Sequence, residues 1–147
     1  MFRNRRRQEQ FPLQDNGPAP MIINIERLTE INPNYRTAIW TGNHMQMTLM
    51  NIPVGGDIGL ENHPDTDQFI RIESGYGLVE MGESKQNLNV KVKVDGMDAF
   101  IIPAGTWHNL SNIGRIPLKL YSIYAPPNHA KGTIHETKEI AEKEERH

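Results

Sequence analysis

Two short segments, 61-ENHPDTDQFIRIESG-75 and 103-PAGTWHNLSN-112, carry the side chains of this sequence best suited to chemistry. Glu61 and His63 stand one residue apart, and Gln68 follows five positions after His63. Many metal proteins place His, His and Glu at such positions. In a strand, residues two apart share a face, so Glu61 and His63 point into a barrel together while Asn62 points away. Downstream, Pro103 ends a strand, Gly105 makes a tight turn, and His108 re-enters on the next strand. Ligands remote in sequence but fixed on separate rigid strands are what a metal site requires. The chain has no Cys, so any metal must be held by His, carboxylate, amide or backbone oxygen.

The elements that would position these side chains are short β-type runs. They are TAIW (37–40), HMQMTLMNI (44–52), QFIRIE (68–73), YGLVEM (76–81), NVKVKV (89–94), AFIIP (99–103) and LKLYSIYA (118–125). Turn clusters at PVGGD, SGYG, DGMD, PAG and NIGR separate them. Many short strands with no helix between them predict an all-β sandwich or barrel. In QFIRIE the charges of Arg71 and Glu73 belong outside, because unpaired charge is costly in a core. Gln68, Ile70 and Ile72 then face inward. In VKVKV, period-two spacing places Val90, Val92 and Val94 on one face and leaves Lys91 and Lys93 on a wet face.

The flanks read differently. Residues 1–20, with Arg3, Arg5, Arg6 and Arg7, are expected to form a flexible basic N-terminal arm. The run 21-MIINIE-26 reads as an edge strand able to cross to a partner subunit. The barrel is expected over 21–128. The segment 129–147 changes period: Thr133 with Glu136 fits a capping box, Glu139 and Lys143 form an i,i+4 pair, and a short surface helix follows.

Length and composition narrow the function classes. The 147 residues fit one domain with a real core. A net charge of −2 argues against general nucleic-acid affinity, which needs a surplus of Lys and Arg. No run approaches the roughly 18 apolar residues that span a bilayer, and no apolar stretch follows the basic start. A cytoplasmic protein without membrane contact is the expectation.

The two segments resemble the paired motifs of the cupin superfamily. Gly55 lies one step from the start of the first motif, His63 holds its second His, and Gly75 falls seven residues after Gln68 as that motif requires. The second motif is matched in register by Pro103, Gly105, His108 and Asn112, with its opening glycine displaced by one to Gly96. The resemblance covers roughly 36–125 and implies a cupin double-stranded β-helix, a jelly-roll barrel, with a short C-terminal helix. Carried over position by position, it implies the metal set Glu61, His63, Gln68 and His108. Two departures stand out: Glu61 replaces the first His of the motif, and Gln68 replaces its Glu. Two imidazoles and one carboxylate can bind Fe(II), Mn(II), Co(II), Ni(II) or Zn(II) with positions open for substrate. As a neutral amide, Gln68 is either a weak fourth ligand or a contact to substrate or bound water.

The resemblance further implies a small-molecule enzyme of isomerase or epimerase type acting on a carbonyl or sugar-like substrate, like the mannose-6-phosphate isomerases of cupin fold. An Fe(II)- or Ni(II)-dependent dioxygenase or lyase is the alternative, and a non-catalytic small-ligand-binding protein is a third. No basic cluster is expected to face the barrel and receive a phosphate, and no catalytic base stands out beyond the ligand set. Tyr121 is a candidate substrate contact. His44, His129 and His135 are expected at the surface, and Met45, Met47 and Met50 in barrel packing. Trp107 should point away from His108. A homodimer is expected through strand exchange or sheet extension.

Overall fold

The computed structural model of the chain describes residues 13–145, so Arg3, Arg5, Arg6 and Arg7 lie outside the described residues. The elements run α1 (Ile25–Ile31), β1 (Arg36–Thr41), β2 (Gln46–Ile52), β3 (Asp67–Ser74), β4 (Tyr76–Gly82), β5 (Val90–Asp95), β6 (Ala99–Ile102), β7 (Trp107–Asn112), β8 (Leu118–Ala125), β9 (Ile134–His135) and α2 (Lys138–Glu145). One sheet has six strands in the order β6-β3-β8-β2-β1-β9, and a second has three in the order β5-β4-β7. Neighbouring strands are antiparallel throughout.

Alternation along the strands decides what the barrel encloses. On β8, Leu118, Leu120, Ser122 and Tyr124 are buried, and on β7, His108, Leu110 and Asn112 are buried. On β3, Gln68, Ile70 and Ile72 face inward, as the charges of Arg71 and Glu73 require. The resulting core joins Ile52, Ile70, Ile72, Val79, Leu110, Leu118 and Leu120. Its polar members collect elsewhere in the barrel: Arg36, Gln46, Thr48, Gln68, His108, Ser122 and His135 are all buried. Gly75 turns β3 into β4 at φ +98°, and a Cβ there would lie 2.8 Å from both Leu118 Cα and Pro117 O.

Several expectations are corrected. The run 21–26 is not a strand: Asn24 caps α1, its Oδ1 accepting from Arg27 N at 3.0 Å, and Leu28 and Thr29 are buried. The capping asparagine ends the extended run, while Met21 and Ile23 pack beside Leu28, Ile39 and Leu49 on the outer face of the large sheet. A dimer by exchange of that segment as a strand therefore loses its basis. At the other end, Thr133 does not cap α2, since its hydroxyl donates to Ala130 O in a turn. Thr137 does so, with its Oγ1 accepting from Ile140 N at 3.2 Å.

His135 is not a surface residue, because β9 pairs with β1 and seats it opposite Arg36. On β5 only Val94 is buried; Val90 and Val92 are exposed, because β5 is the outer strand of the small sheet. The second half of the expected arm is also tied to the barrel. Asn16 N donates to Ile39 O, Trp40 Nε1 to Ala19 O, and Thr41 Oγ1 to Asp15 Oδ2.

Leu120 is fully buried where the two sheets face each other. Truncation to Ala removes buried methyl groups and leaves a cavity, which costs about 2–5 kcal/mol in well-packed cores. Leu120→Ala should lower the denaturant midpoint by a corresponding amount at unchanged slope.

Candidate metal centre

Glu61, His63 and His108 converge. Each offers a ligand atom, and these atoms all lie within 4.8 Å of one another. The backbone enforces the arrangement. Glu61 and His108 form an antiparallel bridge in which Glu61 N donates to His108 O at 3.0 Å and His108 N to Glu61 O at 2.9 Å. The segment 61–63 is therefore a bridge at the edge of the small sheet rather than a full strand. Gly105 N donates to His63 O at 2.9 Å, and Asn62 Nδ2 donates to Gly105 O at 2.9 Å, so Asn62 points away as its position requires.

The turn before His108 is built for this role. Thr106 N closes it on Pro103 O at 3.1 Å, Gly105 takes φ +83°, and Ala104 N donates to Asp67 Oδ1 at 2.8 Å. Asn112, the last matched residue of the second motif, is structural. Its Nδ2 donates to Ile52 O and Ile116 O, and its Oδ1 accepts from Gly114 N.

Electrostatics at the three side chains fit a cation. His108 is 1% exposed, and its Nδ1 lies 2.9 Å from Thr106 O. A carbonyl only accepts, so Nδ1 carries a proton and Nε2 is the ring atom turned toward Glu61. That Nε2 is 3.4 Å from Glu61 Oε2, and His63 Nε2 is 3.3 Å from the same oxygen. Neither imidazole nitrogen has a hydrogen-bond partner, although both are buried. Lone pairs of two imidazoles and a carboxylate facing one another repel unless a proton or a metal ion sits among them. The backbone carbonyl on His108 Nδ1 is the kind of outer contact that orients metal-bound histidines. Burial opposes ionisation of Glu61, but His108 and His63 outweigh it and hold the carboxyl at about 2. The residues present therefore fit a divalent metal.

Gln68 stands on the facing sheet, in register with Tyr124. Its Nε2 donates to Ser122 Oγ at 3.3 Å, and its Oε1 is buried without a partner. Tyr121 is turned the other way. It lies on the outer face of β8 beside Phe69, in an apolar groove with Met21, Trp40, Met47 and Ile123. The tyrosine brought to the centre is Tyr124, whose ring meets the His63 ring edge-on at 5.8 Å between centroids. Strand alternation separates the two tyrosines, and the period of LKLYSIYA was the signal available for choosing between them.

The polar lining continues past Tyr124 through residues that sequence reasoning missed. His129 Nε2 lies 3.4 Å from Tyr124 Oη, and His129 is set in place by Gln46. The Gln46 amide donates to His129 O at 2.8 Å and accepts from His129 N at 2.9 Å. Burial and, next, the Arg36 charge push the His129 imidazole down to about 3, so it is neutral at ordinary pH. Burial raises the Tyr124 phenol to about 12 although Arg36 works against it. Of the remaining expectations, His44 and Met45 are exposed, Met50 is in the core, and Trp107 is turned from His108 with Lys85 over its ring at 5.0 Å.

Two packed antiparallel sheets with a His/His/carboxylate group inside are the architecture of a double-stranded β-helix. A family model described as Cupin domain matches residues 48–124, and the chain belongs to that family. It is 59% identical over 126 residues to the uncharacterized protein YrkC of Bacillus subtilis, covering 86% of this chain and 68% of that one. The crystal structure of BH2720 from Bacillus halodurans is similar at TM-score 0.88 and 57% identity, covering 88% of this chain and 98% of that one. The cupin domain of Schizosaccharomyces pombe Cnp3, at TM-score 0.59 and 16% identity over 68% of this chain and 67% of that one, shares the fold alone. Among the described residues no helix is long and apolar enough to cross a membrane.

In metal-free protein the Glu61 carboxyl titrates at about 2 when folded, against an ordinary value of 4.5. A depressed folded value stabilises the fold fully above the unfolded value, and that contribution is lost as pH falls toward the folded one. Chelator-treated protein should lose stability between about pH 4.5 and 2. Glu61→Gln should flatten that part of the profile, read as denaturant midpoint against pH.

Proposed function

We propose that the protein is a metal-dependent enzyme of isomerase or epimerase type acting on a small carbonyl compound. Glu61, His63 and His108 hold a divalent metal in this reading, with Gln68 as a weak fourth ligand or a substrate contact. The observation that carries it is the pair of buried, unpartnered His63 and His108 Nε2 atoms turned on one Glu61 oxygen. A bound metal would supply Lewis-acid polarisation of a substrate carbonyl.

The chain's own residues then have separable tasks. Glu61 stays ionised and offsets part of the metal charge. Thr106 O keeps His108 in the tautomer that donates its Nε2 lone pair. Tyr124, against the His63 ring, and His129, 3.4 Å from the Tyr124 phenol, are groups able to hold or pass a proton. Gln46 fixes the second member of that pair through its backbone.

A second reading, an Fe(II)-dependent dioxygenase or lyase, is favoured by the same donor set, because two imidazoles and one carboxylate compose the facial triad of non-haem iron oxygenases. A homodimer is also part of the proposal, with the apolar groove of Trp40, Met47, Tyr121 and Ile123 as the face available to a second copy.

Metal analysis of freshly purified protein should find about one divalent ion per chain, and His108→Ala and Glu61→Ala should each lose it. The zinc- or manganese-loaded protein should isomerise or epimerise a member of a panel of small carbonyl compounds that includes aldoses, ketoses and 2-oxo and 2-hydroxy acids. Oxygen uptake by the anaerobically reconstituted Fe(II) form would move the assignment to the second reading. Metal retained in both variants would contradict the site.

A further inference from the structure

Arg36 is a buried cation that the proposed metal centre does not use. It is 3% exposed, on the inner face of β1, opposite Met50 on one side and His135 on the other. Its guanidinium touches His135 Nδ1 through one terminal nitrogen at 3.1 Å, and its Nε has no partner. Arginine can only donate, so His135 Nδ1 accepts and His135 is neutral there, with Nε2 directed at Glu144 3.4 Å away. Among the described residues no carboxylate lies within ion-pair distance of Arg36. Burying an unpaired charge costs several kcal/mol, so this position calls for an anion that the described residues do not provide.

The place for that anion is a cavity of about 170 Å³ whose walls include Arg36, Tyr35, Leu60, Glu61 and Lys138. One cavity thus reaches both the guanidinium and the carboxylate of the proposed metal centre. Lys138 at its side is paired with Asp57, and the carboxylates Glu142 and Glu145 are exposed at its rim; Arg36, held by His135 and over the Tyr35 ring at 5.2 Å, is the lining cation without a carboxylate partner among the described residues. Behind that wall, Tyr124 is in ring contact with His63 at 5.8 Å. The volume sets the size of the guest. It has room for an organic acid of a few carbons.

We propose that Arg36 binds the carboxylate of a small 2-oxo or 2-hydroxy acid in this cavity, with the neighbouring oxygen of the acid directed toward Glu61, His63 and His108. A planar guanidinium fork matches a carboxylate with two parallel hydrogen bonds, which an ammonium cannot reproduce. The assignment narrows the carbonyl substrate of the proposed function to an acid. The part concerning the second oxygen rests on the metal reading; the part concerning Arg36 does not.

The test is titration calorimetry of the full chain, zinc-loaded and chelator-treated, with pyruvate, its neutral methyl ester and inorganic phosphate. Wild-type protein should bind pyruvate at least tenfold more tightly than the ester or phosphate. Arg36→Gln should weaken pyruvate binding at least tenfold without changing zinc per chain, and Arg36→Lys should recover only part of the loss. Thermal melts of both variants identify any that has failed to fold, and the lysine variant keeps the charge if the glutamine variant does not fold. Arg36-dependent pyruvate binding that persists without zinc supports the acid site even where no metal is held, and then only the metal reading fails. Equal binding by wild type and both variants, no pyruvate binding in either form, or preference for phosphate would overturn the proposal.

Discussion

The backbone bridge between Glu61 and His108 is the constraint on which the site depends. Two main-chain hydrogen bonds, at 3.0 and 2.9 Å, register a loop residue against an inner position of β7. Once that register is set, the carboxylate and the imidazole must face the same interior. His63 joins them through the contact of its carbonyl with Gly105 N. The same turn holds the His108 tautomer through Thr106 O. A one-residue slip would turn His108 outward and Trp107 inward, since strand side chains alternate. The fold thus supplies geometry that the side chains alone would resist unless a proton or a cation sat among them.

The interior is divided by chemistry as much as by shape. Leucine, isoleucine and valine fill one part of the barrel, while Arg36, Gln46, Thr48, Gln68, Ser122, Tyr124, His129 and His135 line another beside the metal ligands. Buried polar groups are costly unless satisfied, and several here are not: Arg36 Nε, Gln68 Oε1 and both His Nε2 atoms have no partner. Core packing does not explain such a concentration.

Much of this was legible in the sequence, for a physical reason that differs by residue. The strands of QFIRIE and LKLYSIYA were readable because charge and alternation leave one face able to be buried. The convergence of Glu61, His63 and His108 was readable because Glu61-x-His63 and the PAG turn before His108 keep fixed spacing. Arg36 was not legible, since the run RTAIWT offers apolar or small residues on both faces and only the pairing with β2 and β9 shows which face is inside. His129 and His135 were hidden for a related reason: long-range contacts with Gln46 and β1 bury a segment that looks solvated. Tyr121 was preferred where Tyr124 faces the centre. The strand over 21–26 yielded to a local interaction, the Asn24 cap.

The most direct test of the account is X-ray absorption at the K-edge of whatever metal the purified protein carries. The account predicts the multiple-scattering pattern of two imidazoles with oxygen donors completing the shell, and loss of the metal signal in His108→Ala. A metal spectrum without imidazole scattering, or one unchanged in that variant, would contradict it.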